Sequence, residues 1–255
     1  MHSSKILWVD IQPSLFCFNR RAVQALSQKR HVRRWSFQHD PDESCSQHIV
    51  ESMLYETIEN LSEKYHLIGH GLSGTLACCF AAKHPELVES LTLISVDTYT
   101  FNNWSSHYLK TRGQLCCDRL QILSHLSTLL FEPKDARVQL AIPRLLAKCL
   151  DSEFIQGSLI TDDHLENLKK PDIPVLVVNG DDDYVIDRNS KNRWEDLFSP
   201  GDFYKTVKGG RHFLQFDKSK ETIRIIENFL DMVPSQSAFD TTASNFFSTN
   251  ISKFV

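Results

Sequence analysis

Residues Leu67-Ile68-Gly69-His70-Gly71-Leu72-Ser73-Gly74 lead into Thr75-Leu76-Ala77-Cys78-Cys79-Phe80-Ala81-Ala82. The first part reads as a buried strand, the small residues as a tight turn, and the alanine-rich part as a packed helix. The same alternation continues outward in both directions. Candidate strands are Ile6–Val9, Val32–Phe37, His66–Gly69, Leu91–Ser95, Val175–Asn179 and Phe203–Val207. Helical patterns fall between them at Arg20–Gln28, His48–Ser62, Gly74–His84, Arg188–Leu197 and Lys218–Val233. Leu91-Thr92-Leu93-Ile94 and Val175-Leu176-Val177-Val178 suit strands covered by helices on both faces, so the class is α/β with a mostly parallel sheet.

One interval breaks the rhythm. From about Asp97 to Pro171 no strand stands out, while Leu115, Leu120, Ile122, Leu123, Leu126, Leu129 and Leu130 fall near helical spacing, and Val138 to Leu150 repeats the pattern. The reading is a core over 1–96 and 171–233, a helical cap inserted at 97–170, and a loose surface tail over 234–255.

Composition narrows the function. A chain of 255 residues holds one substantial core, and a formal charge of −4 gives no reason to expect nucleic acid. The basic cluster Lys29-Arg30-His31 with Arg33 and Arg34 reads as a solvated strand edge. Seven cysteines contain no Cys-x-x-Cys pair and read as reduced thiols, so neither a zinc site nor a redox motif is expected. The start of the chain lacks a signal-peptide pattern, and no stretch is apolar for long enough to span a bilayer. A cytoplasmic protein is expected, or a stromal one if the gene is plastid-encoded. The oligomeric state is left open.

Three separated motifs resemble those of the α/β-hydrolase superfamily, over Lys5 to Val233. The opening stretch resembles the nucleophile elbow Gly-x-Ser-x-Gly, and it is followed by His84-Pro85-Glu86-Leu87-Val88 before the next strand. Val178-Asn179-Gly180-Asp181-Asp182-Asp183 resembles the turn carrying the triad acid, and Gly209-Gly210-Arg211-His212-Phe213 the loop carrying the triad histidine. The order elbow, acid, histidine is the superfamily's. The finer likeness is to short cyanobacterial and plastid members whose elbow departs from the usual pattern.

Three departures bear on activity. Gly71 stands where the resemblance places the nucleophilic serine, which keeps the positive-φ turn and deletes the attacking oxygen. After the first strand the chain reads Asp10-Ile11-Gln12-Pro13, so the resemblance puts a carboxylate where an oxyanion needs donors. The chain also opens on what matches the superfamily's third strand, without the antiparallel N-terminal hairpin.

The resemblance makes His212 and Asp183 a candidate dyad, with Asp181 or Asp182 as other choices for the acid. Gly71 becomes a degenerate nucleophile position beside the Leu72 amide. Asp10 and Ile11 would border the oxyanion region, while Trp104, His107 and Tyr108 would line a space under the cap. Ser73 lies about 200° around the helix from the elbow position and reads as a packing or capping residue. No metal or cofactor is expected. Three functions fit these residues. The first is a non-hydrolytic protein that binds a small apolar or ester-like molecule, or a protein partner. The second is an enzyme that uses the dyad without a covalent intermediate, and the third is a serine esterase that relies on Ser73.

Overall fold

A computed structural model describes residues 5–38, 46–61, 63–152 and 168–233. Six strands form one sheet: β1 (Lys5–Asp10), β2 (His31–Ser36), β3 (Tyr65–His70), β4 (Val88–Ile94), β5 (Val175–Gly180) and β6 (Phe203–Val207). Their order is β2-β1-β3-β4-β5-β6, and every neighbouring pair is parallel. All six strands expected from apolar runs are present. The candidate tail over 234–255 and Cys45 lie outside the described residues.

Alternation along the strands splits the core in two. Leu7, Val9, Leu67, Leu91, Leu93, Val175 and Val177 pack on one face with α2 (Gln47–Leu61), α3 (Leu72–Lys83) and Trp194 of α7 (Ser190–Leu197). Ile6, Trp8, Ile68, Ile94, Leu176 and Val178 pack on the other face with α1 (Phe16–Leu26) and α9 (Ser219–Met232). Cys78 is fully buried in the first layer, as its apolar context implies.

Between β4 and β5 the chain forms α4 (Trp104–Gln114), α5 (Arg119–Leu130) and α6 (Ala136–Ser152). Their apolar faces meet Leu15, Phe18, Val185 and Phe213 in a third cluster. The two ends of α5 are set locally. Asp118 closes a capping box with Gln121 at its start. At its end Arg211 donates to the carbonyls of Phe131, at 2.6 Å, and Thr128. The short helix α8 (Leu214–Asp217) follows the Arg211 loop.

The strand order reverses beside β1: the chain leaves β1 for β2 on one side and returns to β3 on the other. Such a reversal opens a crevice at the carboxyl ends of the two central strands. Ile11 follows β1 and Gly71 follows β3, so this crevice is where the elbow residues stand.

Candidate functional site

Gly71 joins β3 to α3 with φ 51° and ψ −126°, in the left-handed half of backbone space that glycine adopts freely. Close packing makes the turn possible. A β-carbon on Gly69 would lie 2.6 Å from the Gly74 Cα, so strand and helix touch through two residues that lack side chains. A β-carbon on Gly71 would meet only His212, at 3.5 Å from Nε2 and 4.0 Å from Cε1, which is ordinary contact.

His212 and Asp183 form the acid–imidazole pair. The Nδ1 atom lies 3.2 and 3.1 Å from the two Asp183 carboxylate oxygens, and both side chains are fully buried. A carboxylate only accepts, so Nδ1 carries a proton and Nε2 faces Gly71. Nε2 has no hydrogen-bond partner among the described residues. Burial acts to raise the Asp183 pKa. The His212 charge and hydrogen bond, with the Val185 and Ile186 amides, outweigh it and hold the carboxyl below its ordinary value. Asp181 and Asp182 are turn residues: Asp181 accepts from the Gly209 amide and Asp182 pairs with Arg211.

The His212 backbone is fixed from two sides. Its carbonyl accepts from the Ser95 hydroxyl at 2.7 Å and from His70 Nε2 at 2.9 Å. His70 must therefore carry its proton on Nε2. Burial pushes the His70 pKa down to about 3, with the neighbouring His212 adding to the effect. Ser95 holds φ 51°, the one positive φ outside glycine among the described residues. The sequence reading ended a strand at Ser95 and found no role for it. Its role depends on a loop 117 residues away, which leaves no local signature.

The two amides after β1 are already engaged. Ile11 N–H donates to Ser73 Oγ at 3.1 Å, and Gln12 N–H donates to Asp10 Oδ1 at 3.2 Å. Ser73 is buried in the first turn of α3, as the packing role expected for it requires, and its hydroxyl accepts from the β1 loop rather than capping the helix. It braces the β1 loop across the crevice. The Asp10 carboxylate, buried itself, turns toward the sheet edge and pairs with the Arg34 guanidinium at 2.6 and 2.9 Å. Arg34 in turn lies over the Phe16 ring at 3.7 Å. Burial raises the Asp10 pKa and Arg34 opposes it. Asp10 therefore acts by holding the Gln12 amide, not by facing a developing oxyanion with bare charge. Leu72 is the first residue of α3, where a backbone N–H has no intrahelical acceptor.

The expected pocket residues separate. Trp104 and Tyr108 are buried in the apolar cluster of the insertion and line neither of the two described cavities. His107 does line one, a space of about 940 Å³ outside Asp183. Its walls also include Tyr184, Arg188, Lys191, Tyr204 and Arg211, and His107 packs on Tyr184 with ring centroids 5.2 Å apart. Burial lowers the His107 pKa, and proximity to His212 and Lys110 adds to this. Neither cavity touches Gly71 or His212. Phe213 meets His212 edge-on at 5.4 Å and stacks on Phe131 at 4.3 Å, with Phe18 against both phenylalanines. Among the described residues no cluster of three or more His, Cys, Asp or Glu suits a metal, and no helix is long and apolar enough to cross a membrane.

Comparison with known proteins agrees with this architecture. No family model matches the chain. An uncharacterized protein of Synechocystis sp. is 28% identical over 243 residues, 93% of this chain and 94% of its own length. Another from Nostoc sp. is 25% identical over 211 residues, covering 83% and 84%. Among solved structures, a bromoperoxidase from Bacillus anthracis superposes with a TM-score of 0.69 at 17% identity, over 90% of this chain and 92% of that one. The meta-cleavage product hydrolase of Pseudomonas fluorescens gives 0.66 at 15% identity, over 91% and 92%. These likenesses establish the α/β-hydrolase fold.

Proposed function

We propose that this α/β-hydrolase-fold chain is non-hydrolytic and serves as a small-molecule binding protein, with Gly71 in the place of a catalytic serine and α4–α6 acting as its cap. The carrying observation is His212 Nε2, aimed by Asp183 at a residue without a side chain, 3.5 Å from where a β-carbon would stand. Acyl transfer needs an oxygen there and convergent donors for the oxyanion. Gly71 offers no hydroxyl, and of the nearby amides Ile11 and Gln12 are bound to Ser73 and Asp10, which leaves Leu72 without a convergent second donor. Removal of a triad nucleophile costs about six orders of magnitude in rate in a well-studied serine protease. The space beside His107, Tyr184 and Arg188 suits a polar ligand better than the apolar one expected from sequence.

The dyad enzyme remains the second reading, favoured by the formed His212–Asp183 pair. The enclosure of Gly71 and His212, which border neither cavity, weighs against it. Assay of the purified chain on p-nitrophenyl esters decides the matter. Background rates, equal in His212→Ala, are expected; turnover that disappears in that variant overturns the proposal.

A further inference from the structure

The insertion carries a feature that the buried site does not use. The last residues of α4 and the 115–118 connection to α5 are all exposed, and three apolar side chains stand at the tip: Leu115, Cys116 and Cys117. Leu109 on α4 and Leu120 on α5 flank them, and Leu109, Leu115 and Leu120 are 51, 48 and 46% exposed. The loop is held in this form. Arg112 donates to the Cys117 carbonyl at 3.0 Å, and Asp118 caps α5 through the Leu120 amide at 2.8 Å. These bonds fix both ends of the loop while its apolar side chains stay exposed.

Charge is distributed to match. Residues 104–152 contain seven Lys and Arg against four Asp and Glu, a balance of +3 in a chain whose total is −4. Lys110 and Arg112 lie on the α4 side of the tip. Lys148 is brought to the α5 side because Arg119 bonds the carbonyl of Ala147 at 2.9 Å. Lys110 and Lys148 are exposed.

We propose that this tip is a docking surface for an anionic lipid bilayer, with Leu115 and Leu120 entering the interface and Lys110 and Lys148 meeting headgroups. A convex tip with separate leucines and no groove suits fluid acyl chains, which need no shape match, better than the face of a folded partner. Lys110, Arg112 and Lys148 beside the tip outnumber Asp118 on it, with Arg119 neutralised by Asp151, and this excess supplies attraction that a neutral surface would not return. The inference concerns the outer face of α4–α6 and stands whether or not the buried site binds a ligand.

The test is vesicle flotation of the full chain with phosphatidylcholine alone and with phosphatidylcholine containing phosphatidylglycerol. Partition is expected only with the anionic vesicles, and it should weaken with added salt. Lys110→Gln and Lys148→Gln should each lower it about fivefold, and Leu115→Ser with Leu120→Ser by about tenfold or more. All four positions are exposed, so melting temperatures should match the parent chain. Equal partition onto neutral vesicles, no partition at low salt, or partition unmoved by the leucine variants overturns the proposal. So does a dimer in solution that Leu115→Ser dissolves while vesicles are ignored, since the tip would then be a protein contact.

Discussion

The Nε2 atom of His212 lies 3.5 Å from the point a β-carbon of Gly71 would occupy, with the Asp183 carboxylate 3.1 Å behind the same imidazole. The buried imidazole–carboxylate pair is therefore in register with a position that has no side-chain oxygen to offer. The neighbouring amides are committed to internal partners, and this makes the site's chemistry testable by restoring its parts one at a time.

Gly71→Ser is the first restoration. Space permits the side chain, but φ 51° with ψ −126° is a sparsely populated conformation that costs a non-glycine residue roughly 1–3 kcal/mol. The variant is expected to fold with a lower melting temperature and to leave p-nitrophenyl ester hydrolysis near background, since Ser73 still holds the Ile11 amide. Adding Ser73→Gly frees that amide, and the double variant should hydrolyse faster than the single one. Strong activity in Gly71→Ser alone would show that the oxyanion region is already open.

Acid should destabilise the fold in a defined window. Burial lowers the pKa of His66 to about 4 and of His70 to about 3, against an ordinary value near 6.5. Below about pH 6.5 the unfolded chain takes up protons that the folded chain refuses, so stability falls with pH. The slope from each histidine flattens only near its folded value. Each contributes up to about 1.4 kcal/mol per pH unit inside its window. Melting temperature measured from pH 7 to pH 4 should drop, and the drop should be shallower in His66→Gln. An unchanged slope in that variant would refute the assignment.

Asp10→Ala should expose what the carboxylate holds. Arg34 loses its partner and the Gln12 amide loses its acceptor, for a loss of about 1–3 kcal/mol in urea unfolding. Asp10→Asn keeps an acceptor for Gln12 and should lose less. Equal losses would mean that the amide contact contributes nothing.

Arg211→Ala should loosen the junction between α5 and the histidine loop. The guanidinium bonds the Phe131 and Thr128 carbonyls and pairs with Asp182. Hydrogen exchange over residues 128–134 and 209–217 is expected to rise. Arg211→Lys should rescue it poorly, because a single ammonium cannot reproduce the planar fork. Exchange unchanged in both variants would show that ring stacking between Phe131 and Phe213 holds the junction alone.

The sequence by itself determined the α/β class, the six strands of the sheet, and helical patterns in the segment between β4 and β5. Short apolar runs and local turn chemistry encode these features, and both act between neighbours in the chain. That residue 71 is a glycine without a side-chain oxygen is likewise read from the chain alone, since residue type needs no fold to be known. Only the tertiary structure decided that Ser73 braces Ile11, that Asp10 faces Arg34, that Ser95 and His70 anchor the His212 carbonyl, and that Trp104 and Tyr108 belong to the core. The three bonds that Ser73 and the His212 carbonyl make join residues 62, 117 and 142 positions apart. Where a hydroxyl or carboxylate finds its partner depends on which strand ends meet in the crevice, and no local pattern records that meeting.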